Sequence, residues 1–148
     1  MDGPDETATS GFAAFYDEQR QHAVRLAWLL THDANVAEDV AHDAFGAVFA
    51  RFDQLVTPAA YLRRSVVNGV YERARRATRE SRRVHLANAG RPEAVDSPTG
   101  GLADVIARLP LNERTVVVLR YWADLDHDAI AEVMGLRTSS VRSLLTRA

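Results

Sequence analysis

The sequence predicts an all-α protein made of two small helical domains that are joined by a flexible linker. Three observations favour this fold class. Apolar residues recur at helical spacing along most of the 148 residues. Residues 88–101 are rich in glycine and proline and have little to bury, which is typical of a linker. Near the C-terminus, Gly135 separates two short amphipathic stretches, which is typical of a helix-turn-helix.

The first domain is predicted over residues 11–87 and follows a disordered tail at residues 1–10. The tail is polar and acidic, and it shows no apolar periodicity. The first helix is expected to begin at Ser10 or Gly11, because an apolar stripe starts at Phe12.

Capping patterns predict where the next two helices begin. Asn35 and Glu38 have the spacing of a capping box, which predicts the start of the second helix. Thr57 is expected to cap the third helix, with Pro58 in its first turn, where proline is favoured. The third helix is expected to end near Val84.

The second domain is predicted over residues 102–148. Apolar spacing predicts one helix over residues 102–109 and another from residue 112 to about residue 123, in spite of a run of β-branched valines. The two helices of the helix-turn-helix follow. Asp126 is expected to cap the first of them and Thr138 the second.

The net charge of −2 hides a strong asymmetry along the chain. Residues 1–54 contain three arginines and ten acidic residues, whereas residues 55–92 contain nine arginines and two acidic residues. Opposite charges on neighbouring segments suggest two different macromolecular partners rather than one neutral surface.

The second helix carries a group of acidic residues and one histidine on a single ridge, because residues four positions apart lie one turn apart. This group, the acidic surface, consists of Glu38, Asp39, His42 and Asp43. Either it is an ordinary solvated face or it binds a basic partner. Acid–base catalysis is disfavoured, because nothing nearby in the sequence supplies a pocket that would separate the pKa values of the carboxylates.

The third helix combines arginines, which neutralise phosphates, with tyrosines, on which unpaired bases can stack. Asn68 stands among apolar residues in this helix, where asparagine is unfavourable unless it bonds to the backbone or faces a ligand. We define the arginine-rich surface as the residues expected to bind nucleic acid there: Tyr61, Arg63, Arg64, Asn68, Tyr71, Arg75 and Arg76.

The second helix of the helix-turn-helix presents side chains that suit phosphates and base edges in a DNA groove. An ordinary helical hairpin with a solvated polar face is the alternative. The residues expected to bind DNA are Arg137, Thr138, Ser139, Ser140, Arg142, Ser143, Thr146 and Arg147.

Several classes of function are disfavoured by what the sequence lacks. The chain has no cysteine, no glycine-rich phosphate loop, and no pair of histidines at a helical metal-binding spacing. We therefore expect no enzyme activity, cofactor, metal or small-molecule substrate. The N-terminus does not resemble a signal peptide, and no apolar run approaches ~18 residues, so we expect a cytoplasmic protein without membrane insertion.

Taken together, three segments resemble the extracytoplasmic-function sigma factors of bacterial RNA polymerase. The segments are FYDEQRQHAVRLAWLLTHDANVAEDVAHDAF, PAAYLRRSVVN with its trailing arginines, and LPLNERTVVVLRYW with the helix-turn-helix that follows it. The resemblance covers nearly the whole chain from about Gly11. It implies that residues 11–87 correspond to sigma region 2 and residues 102–148 to sigma region 4.

The resemblance also implies partners for each surface. Core RNA polymerase would bind the acidic surface, and the loop at residues 51–60 with the arginine-rich surface would capture an unpaired base of the minus-ten element, facing Asn68. The helix-turn-helix would bind the minus-thirty-five element as duplex DNA. An anti-sigma factor is a further expected partner. Leu144 stands where relatives often have a basic residue, which implies one phosphate contact fewer.

Two other functions are compatible with these patterns. The first is a stand-alone helix-turn-helix regulator, in which residues 1–92 bind a ligand or form a dimer. The second is a protein–protein adaptor whose charged surfaces contact only proteins.

Overall fold

The computed structural model describes residues 4–87 and 101–148, with side chains described from residue 10 to 82 and from residue 101 onward. Every regular element in these ranges is helical, as the sequence predicts. The N-terminal bundle contains the three longest helices: α1 (Pro4–Thr31), α2 (Ala34–Arg51) and α3 (Pro58–Ala87). The C-terminal domain contains four short helices: α4 (Leu102–Ala107), α5 (Leu111–Val117), α6 (His127–Met134) and α7 (Thr138–Arg147).

The N-terminal bundle packs around aliphatic side chains that all three helices contribute. Leu26 and Leu30 of α1, Val48 of α2 and Val66 of α3 are almost completely buried. Burial of each such side chain contributes roughly 1.5–3 kcal/mol relative to its exposure to water. A 3-10 turn at Phe52–Gln54 follows α2 directly and begins the connection to α3.

The C-terminal domain has its own set of buried side chains, which include Val116, Leu119, Ile130 and Val141. The helix α5 continues as a π-helical turn at Val118–Trp122, so the valine run is helical rather than extended. These side chains are contiguous with those of the N-terminal bundle, because α6 packs on α3 and both α4 and α5 pack on α1.

Three predicted helix starts differ from the structure. The helix α1 begins at Pro4, so the predicted disordered tail is wrong over residues 4–10; residues 1–3 lie outside the described residues. Proline is favoured in a first turn because the missing N–H would have no partner there. The cap of α2 is Asp33, which accepts the backbone N–H groups of Asn35 and Val36, so Asn35 is the second residue of the helix and not its cap.

The third difference concerns Thr138, which is the first residue of α7 and does not cap it. Its hydroxyl instead donates to the Oδ1 atom of Asp128 at 2.8 Å, and Arg137 occupies the cap position without a side-chain hydrogen bond. A capping side chain accepts N–H groups of the first turn from the residue that precedes the helix, and Thr138 stands one position later.

Other predicted boundaries agree with the structure. Pro58 is the first residue of α3, although the helix extends a few residues beyond Val84, to Ala87. Asp126 caps α6, because its Oδ1 atom accepts the N–H of Ala129 at 2.8 Å. The predicted linker lies outside the described residues except for Gly101, which directly precedes α4. No helix among the described residues is both long and apolar enough to cross a membrane.

Candidate nucleic-acid and protein interfaces

The predicted turn between α6 and α7 is present. Gly135 ends α6 with φ 67° and ψ 32°, in the left-handed region that favours glycine, and the N–H of Leu136 donates to the carbonyl of Ala131 at 2.9 Å. Val141 and Leu144 of α7 are buried in the domain core. This geometry is that of a helix-turn-helix, with α7 as its second helix.

The helix α7 presents a polar face to solvent. Thr138 and Ser140 are half-buried, whereas the other predicted DNA-binding residues are exposed: Arg137, Ser139, Arg142, Ser143, Thr146 and Arg147. Leu144 points into the core with 6% of its surface exposed. It therefore stabilises the domain, and a basic side chain here would not reach a phosphate without leaving the core, so the expected loss of a phosphate contact at this position is wrong.

All four residues of the acidic surface are exposed on α2. Glu38 pairs with Arg20 of α1 at 3.2 Å, and Asp43 pairs with Arg73 of α3 at 3.1 Å. Both ion pairs are solvent-exposed and contribute about 0–1 kcal/mol each. Because the four side chains remain open to solvent, the acidic surface is accessible to a protein partner.

Arginines beyond the middle of α3 converge on one carboxylate. Glu72 lies 2.9 Å from Arg75, 3.5 Å from Arg76 and 3.7 Å from Arg79. The hydrogen bond from Arg75, with the charges of the three arginines, lowers the pKa of Glu72. One carboxylate cannot neutralise three guanidinium groups, so this end of α3 stays positively charged.

The first part of the arginine-rich surface faces α6 across a cavity of about 260 Å³. Tyr61, Arg63 and Arg64 line it on one side, and Glu132 and Val133 line it on the other. The Nε atom of Arg63 is buried without a hydrogen-bond partner, and burial lowers the pKa of Arg63. Tyr61 and Arg63 are half-buried beside this cavity, whereas Arg64 is exposed.

The middle of the arginine-rich surface contacts α5. The hydroxyl of Tyr71 lies 2.6 Å from the Oδ1 atom of Asn112 and 3.3 Å from the Oγ1 atom of Thr115, and burial raises the pKa of Tyr71. Asn68 is exposed and lines a neighbouring cleft of about 210 Å³ with Tyr71 and Met134. Tyr61 and Tyr71 are both half-buried, so each ring is only partly open to solvent in this arrangement.

Sequence reasoning missed the residues that join the two domains. The guanidinium of Arg114 in α5 donates to the carbonyl of Leu30, near the C-terminus of α1, at 2.5 Å. His22 of α1 stacks on Trp122 with ring centroids 4.6 Å apart, and His32 pairs with Asp104 at 3.2 Å.

Arg114 also donates to the carbonyls of Ala107 and Leu109 within its own domain. A cation near the C-terminal carbonyls of a helix is favoured by the helix dipole. No local sequence pattern marks such contacts, because their partners are distant along the chain. Within the described ranges, no cluster of three or more histidine, aspartate or glutamate side chains could hold a metal ion.

Comparison with known proteins places this architecture in a family. The family described as "Sigma-70, region 4" matches residues 100–148. The chain is 30% identical over 141 residues to the RNA polymerase sigma-E factor of Streptomyces avermitilis, which spans 90% of this chain and 78% of that protein. The RNA polymerase sigma-E factor of Streptomyces coelicolor is also 30% identical, over 90% of this chain and 79% of its own length.

Two solved structures share the fold. The sigma factor RpoE from Bartonella quintana, in complex with the anti-sigma factor NepR, superposes with a TM-score of 0.72 at 20% identity, over 90% of this chain and 91% of that one. CnrH, in complex with the cytosolic domain of CnrY, superposes with a TM-score of 0.64 at 24% identity, over 97% and 88% of the two chains.

The relatives match both the N-terminal bundle and the C-terminal domain, which favours a sigma factor over a stand-alone helix-turn-helix regulator. Sigma factors are initiation factors of transcription and do not themselves catalyse it. Family, fold and exposed surfaces agree, and the chain belongs to the extracytoplasmic-function sigma factors of bacterial RNA polymerase.

Proposed function

We propose that this chain binds core RNA polymerase and directs it to promoters by recognising the minus-ten and minus-thirty-five elements. The observation that supports this best is the separation of charge: acidic side chains are exposed on α2, and arginines on the far end of α3 and on α7. Surfaces of opposite charge on different helices can bind a protein and DNA at the same time.

The acidic surface is proposed to bind core polymerase. Among the described residues, no ion pair or hydrogen bond between side chains engages Asp39 or His42, and the pairs that Glu38 and Asp43 make are exposed and weak. A basic partner can exchange for these pairs at little cost. Charge complementarity of this kind chiefly raises the rate and specificity of association.

The arginine-rich surface is proposed to bind the opened minus-ten element. Arg75 and Arg76 would neutralise phosphates, while Tyr61, Tyr71 and Asn68 would contact an unpaired base. Arg63 and Arg64 would contribute from the first turns of α3. Unstacking a base costs a few kcal/mol, and stacking on tyrosine offsets part of that cost.

The helix α7 is proposed to enter the major groove at the minus-thirty-five element. Arg137, Arg142 and Arg147 suit phosphates or guanine edges, and the hydroxyl groups suit phosphates. The hydroxyls concerned belong to Thr138, Ser139, Ser140, Ser143 and Thr146. Two of them already donate to the backbone, from Ser143 to Ser139 and from Thr146 to Arg142, but a hydroxyl oxygen can accept as well.

We further propose that an anti-sigma factor regulates this chain in the cytoplasm, as the two complexes named above suggest by analogy. The chemistry of RNA synthesis would belong to the polymerase, so the chain needs no catalytic group, cofactor, metal or small-molecule substrate of its own.

The test is initiation in a purified system. The chain is mixed with core polymerase from a related bacterium and fragmented genomic DNA of its own source, and the 5′ ends of the transcripts are mapped. We expect starts that share two short sequence elements and that depend on the chain. Starts identical to those made by core polymerase alone would overturn the proposed function.

A further inference from the structure

The hydroxyl of Thr138 has its only hydrogen committed to another side chain. Thr138 is the first residue of α7, and its Oγ1 atom lies 2.8 Å from the Oδ1 atom of Asp128, in the first turn of α6. An ionised carboxylate can only accept a hydrogen bond, so the threonine donates in this pair. A hydrogen bond to a charged acceptor is stronger than one between neutral groups. Thr138 therefore offers a further partner a lone pair and not a hydrogen.

The hydroxyl groups of α7 are of two kinds in this respect. Ser143 and Thr146 donate to backbone carbonyls one turn back in the same helix, at 3.1 Å and 2.9 Å. Within the described part of the chain, no hydrogen bond engages the hydroxyl of Ser139 or Ser140. These two hydroxyls can donate to phosphate oxygens. Thr138 cannot, and it differs from the others because its acceptor is a charged group on another helix.

The local fold holds Thr138 and Asp128 in place. Gly135 ends α6 and turns the chain towards α7, and Asp126 caps the first turn of α6 by accepting the N–H of Ala129. Asp128 lies in that capped turn, so α6 and not α7 sets its backbone position. The hydrogen bond from Thr138 therefore joins the start of the second helix of the helix-turn-helix to the start of the first.

Thr138 also lies at the end of α7 that suits contact with bases. In a helix-turn-helix the N-terminal residues of the second helix contact base edges, while the first helix crosses the phosphate backbone. Thr138 is half-buried and Asp128 is exposed, so the domain core encloses neither. Phosphate oxygens accept hydrogen bonds and are negatively charged, so the carboxylate of Asp128 repels them. The partner that fits Thr138 is consequently a hydrogen-bond donor and not a phosphate.

The donors in the major groove are the amino groups of cytosine and adenine, whereas guanine and thymine present acceptors. Adenine places its N7 acceptor beside the amino group, and a neighbouring carboxylate repels that lone pair. Cytosine presents the amino group without an acceptor beside it. Of the four bases, cytosine therefore fits a hydroxyl lone pair next to a carboxylate best.

We propose that Thr138, positioned by Asp128, accepts the free amino hydrogen of a cytosine in the duplex that α7 binds, and so sets the base preference at one position. This inference rests on the proposed binding of α7 to the minus-thirty-five element, and it names a base that the helix selects. Asp128 is a positioning residue, because it acts by fixing the direction of the Thr138 hydrogen.

The first experiment selects DNA duplexes from a random pool with the holoenzyme, which is the full chain bound to core polymerase, and sequences the bound fraction. We expect one position at which cytosine is preferred over thymine about fivefold, the factor that one net hydrogen bond supplies. Thr138→Ser keeps a hydroxyl and should keep this preference. Thr138→Val keeps nearly the same shape without a hydroxyl and should lose it.

The outcomes of the selection separate the inference from the proposed function. A cytosine preference that survives in Thr138→Val would overturn the inference and leave recognition by α7 in place. Loss of the preference in Thr138→Ser as well would also overturn it, because the shape of the residue and not its hydroxyl would then matter. Failure of the holoenzyme to enrich any common sequence would overturn the proposed function, and the inference with it.

The second experiment removes the hydrogen from the DNA instead of the acceptor from the protein. The selected duplex is made with N4-methylcytosine at the preferred position, where the one remaining amino hydrogen is used for base pairing. Methylation should weaken holoenzyme binding about fivefold for the unchanged chain and for Thr138→Ser, but less than about twofold for Thr138→Val. An equal loss in all three proteins would contradict the inference, because the methyl group would then act without the hydroxyl.

Asp128→Ala tests the positioning role. Without the carboxylate, the Thr138 hydroxyl can donate as well as accept, so the preference should broaden from cytosine to include thymine. Glu132→Ala removes another exposed carboxylate one turn later in α6 and should leave the preference unchanged. Circular dichroism checks that both variants are folded. A cytosine preference in Asp128→Ala as strong as in the unchanged chain would overturn the role of Asp128.

Discussion

The backbone conformation of the glycine between α6 and α7 predicts how its replacement changes the free energy of unfolding. Gly135 has φ 67°, and a Cβ atom added there would meet nothing within 4 Å. Alanine at this position would therefore be penalised only through its backbone, by about 1–2 kcal/mol in the left-handed region. Reduced freedom of the unfolded chain returns about 0.4–1 kcal/mol. We expect Gly135→Ala to lower the free energy of unfolding by about 1 kcal/mol.

Gly46 in α2 is the matched control, because a Cβ atom added there also meets nothing within 4 Å but the backbone is helical. Gly46→Ala is expected to raise the free energy of unfolding by about 0.5–1 kcal/mol. Thermal unfolding followed by circular dichroism should show midpoints that move in opposite directions, by about 2–4 °C per kcal/mol. Two shifts of the same sign would refute the assignment of Gly135 to a left-handed turn.

Three further changes test particular contacts. Asp126→Ala removes the cap of α6 and should lower the free energy of unfolding by about 1 kcal/mol, measured by urea unfolding, whereas Asp17→Ala on the exposed face of α1 should not. Burial and the charge of Arg63 lower the pKa of His22, so the folded chain should lose stability as pH falls from about 7 through the ordinary histidine range. The midpoint of thermal unfolding should therefore fall less in His22→Gln than in the unchanged chain between about pH 7.5 and about 5.5. An equal fall in the two proteins would count against this reasoning. Asn68→Ala should leave the fold intact and weaken holoenzyme binding to a minus-ten single strand about tenfold, and unchanged affinity would remove Asn68 from the proposed site.

Local signals in the sequence predicted much of the fold. Proline at the start of α3, the cap at Asp126 and the glycine at residue 135 each act within one turn of helix, so their residue types suffice to place an element. The predicted start of α2 differs from the structure because two nearby residues could each cap the helix. Asp33 and Asn35 are both good caps, and His32, which has φ 55°, turns the chain so that Asp33 reaches the first N–H groups.

Contacts between the domains could not be predicted from the sequence. Tyr71 meets Asn112 from 41 positions away, and Arg114 meets the carbonyl of Leu30 from 84 positions away. The residues next to each of these positions in the sequence follow ordinary helical patterns, so no local pattern marks a contact with the other domain. The composition of the arginine-rich surface indicates that it binds nucleic acid, but only the packing of the domains determines which part of it is accessible.

In contrast, the exposure of the acidic surface and of the C-terminal part of the arginine-rich surface can be predicted from the sequence. Exposure of Asp39 and His42 follows from the apolar period of α2, which places Val40 and Ala44 inside the bundle. The acidic balance of residues 1–54 and the basic balance of residues 55–92 likewise correspond to acidic side chains on α2 and arginines on α3. Surface charge that follows helical periodicity is predictable, whereas the side of a helix on which a second domain docks is not.

The most direct test of the account is a pair of charge reversals assayed with core polymerase. Asp39→Arg on the acidic surface should lower affinity for core polymerase by at least about tenfold, whereas Arg76→Glu on α3 should keep that affinity and abolish initiation. Polymerase binding is measured by fluorescence anisotropy of the labelled chain, and initiation by run-off transcription. Equal loss of polymerase binding in both variants would contradict the separation of the two surfaces.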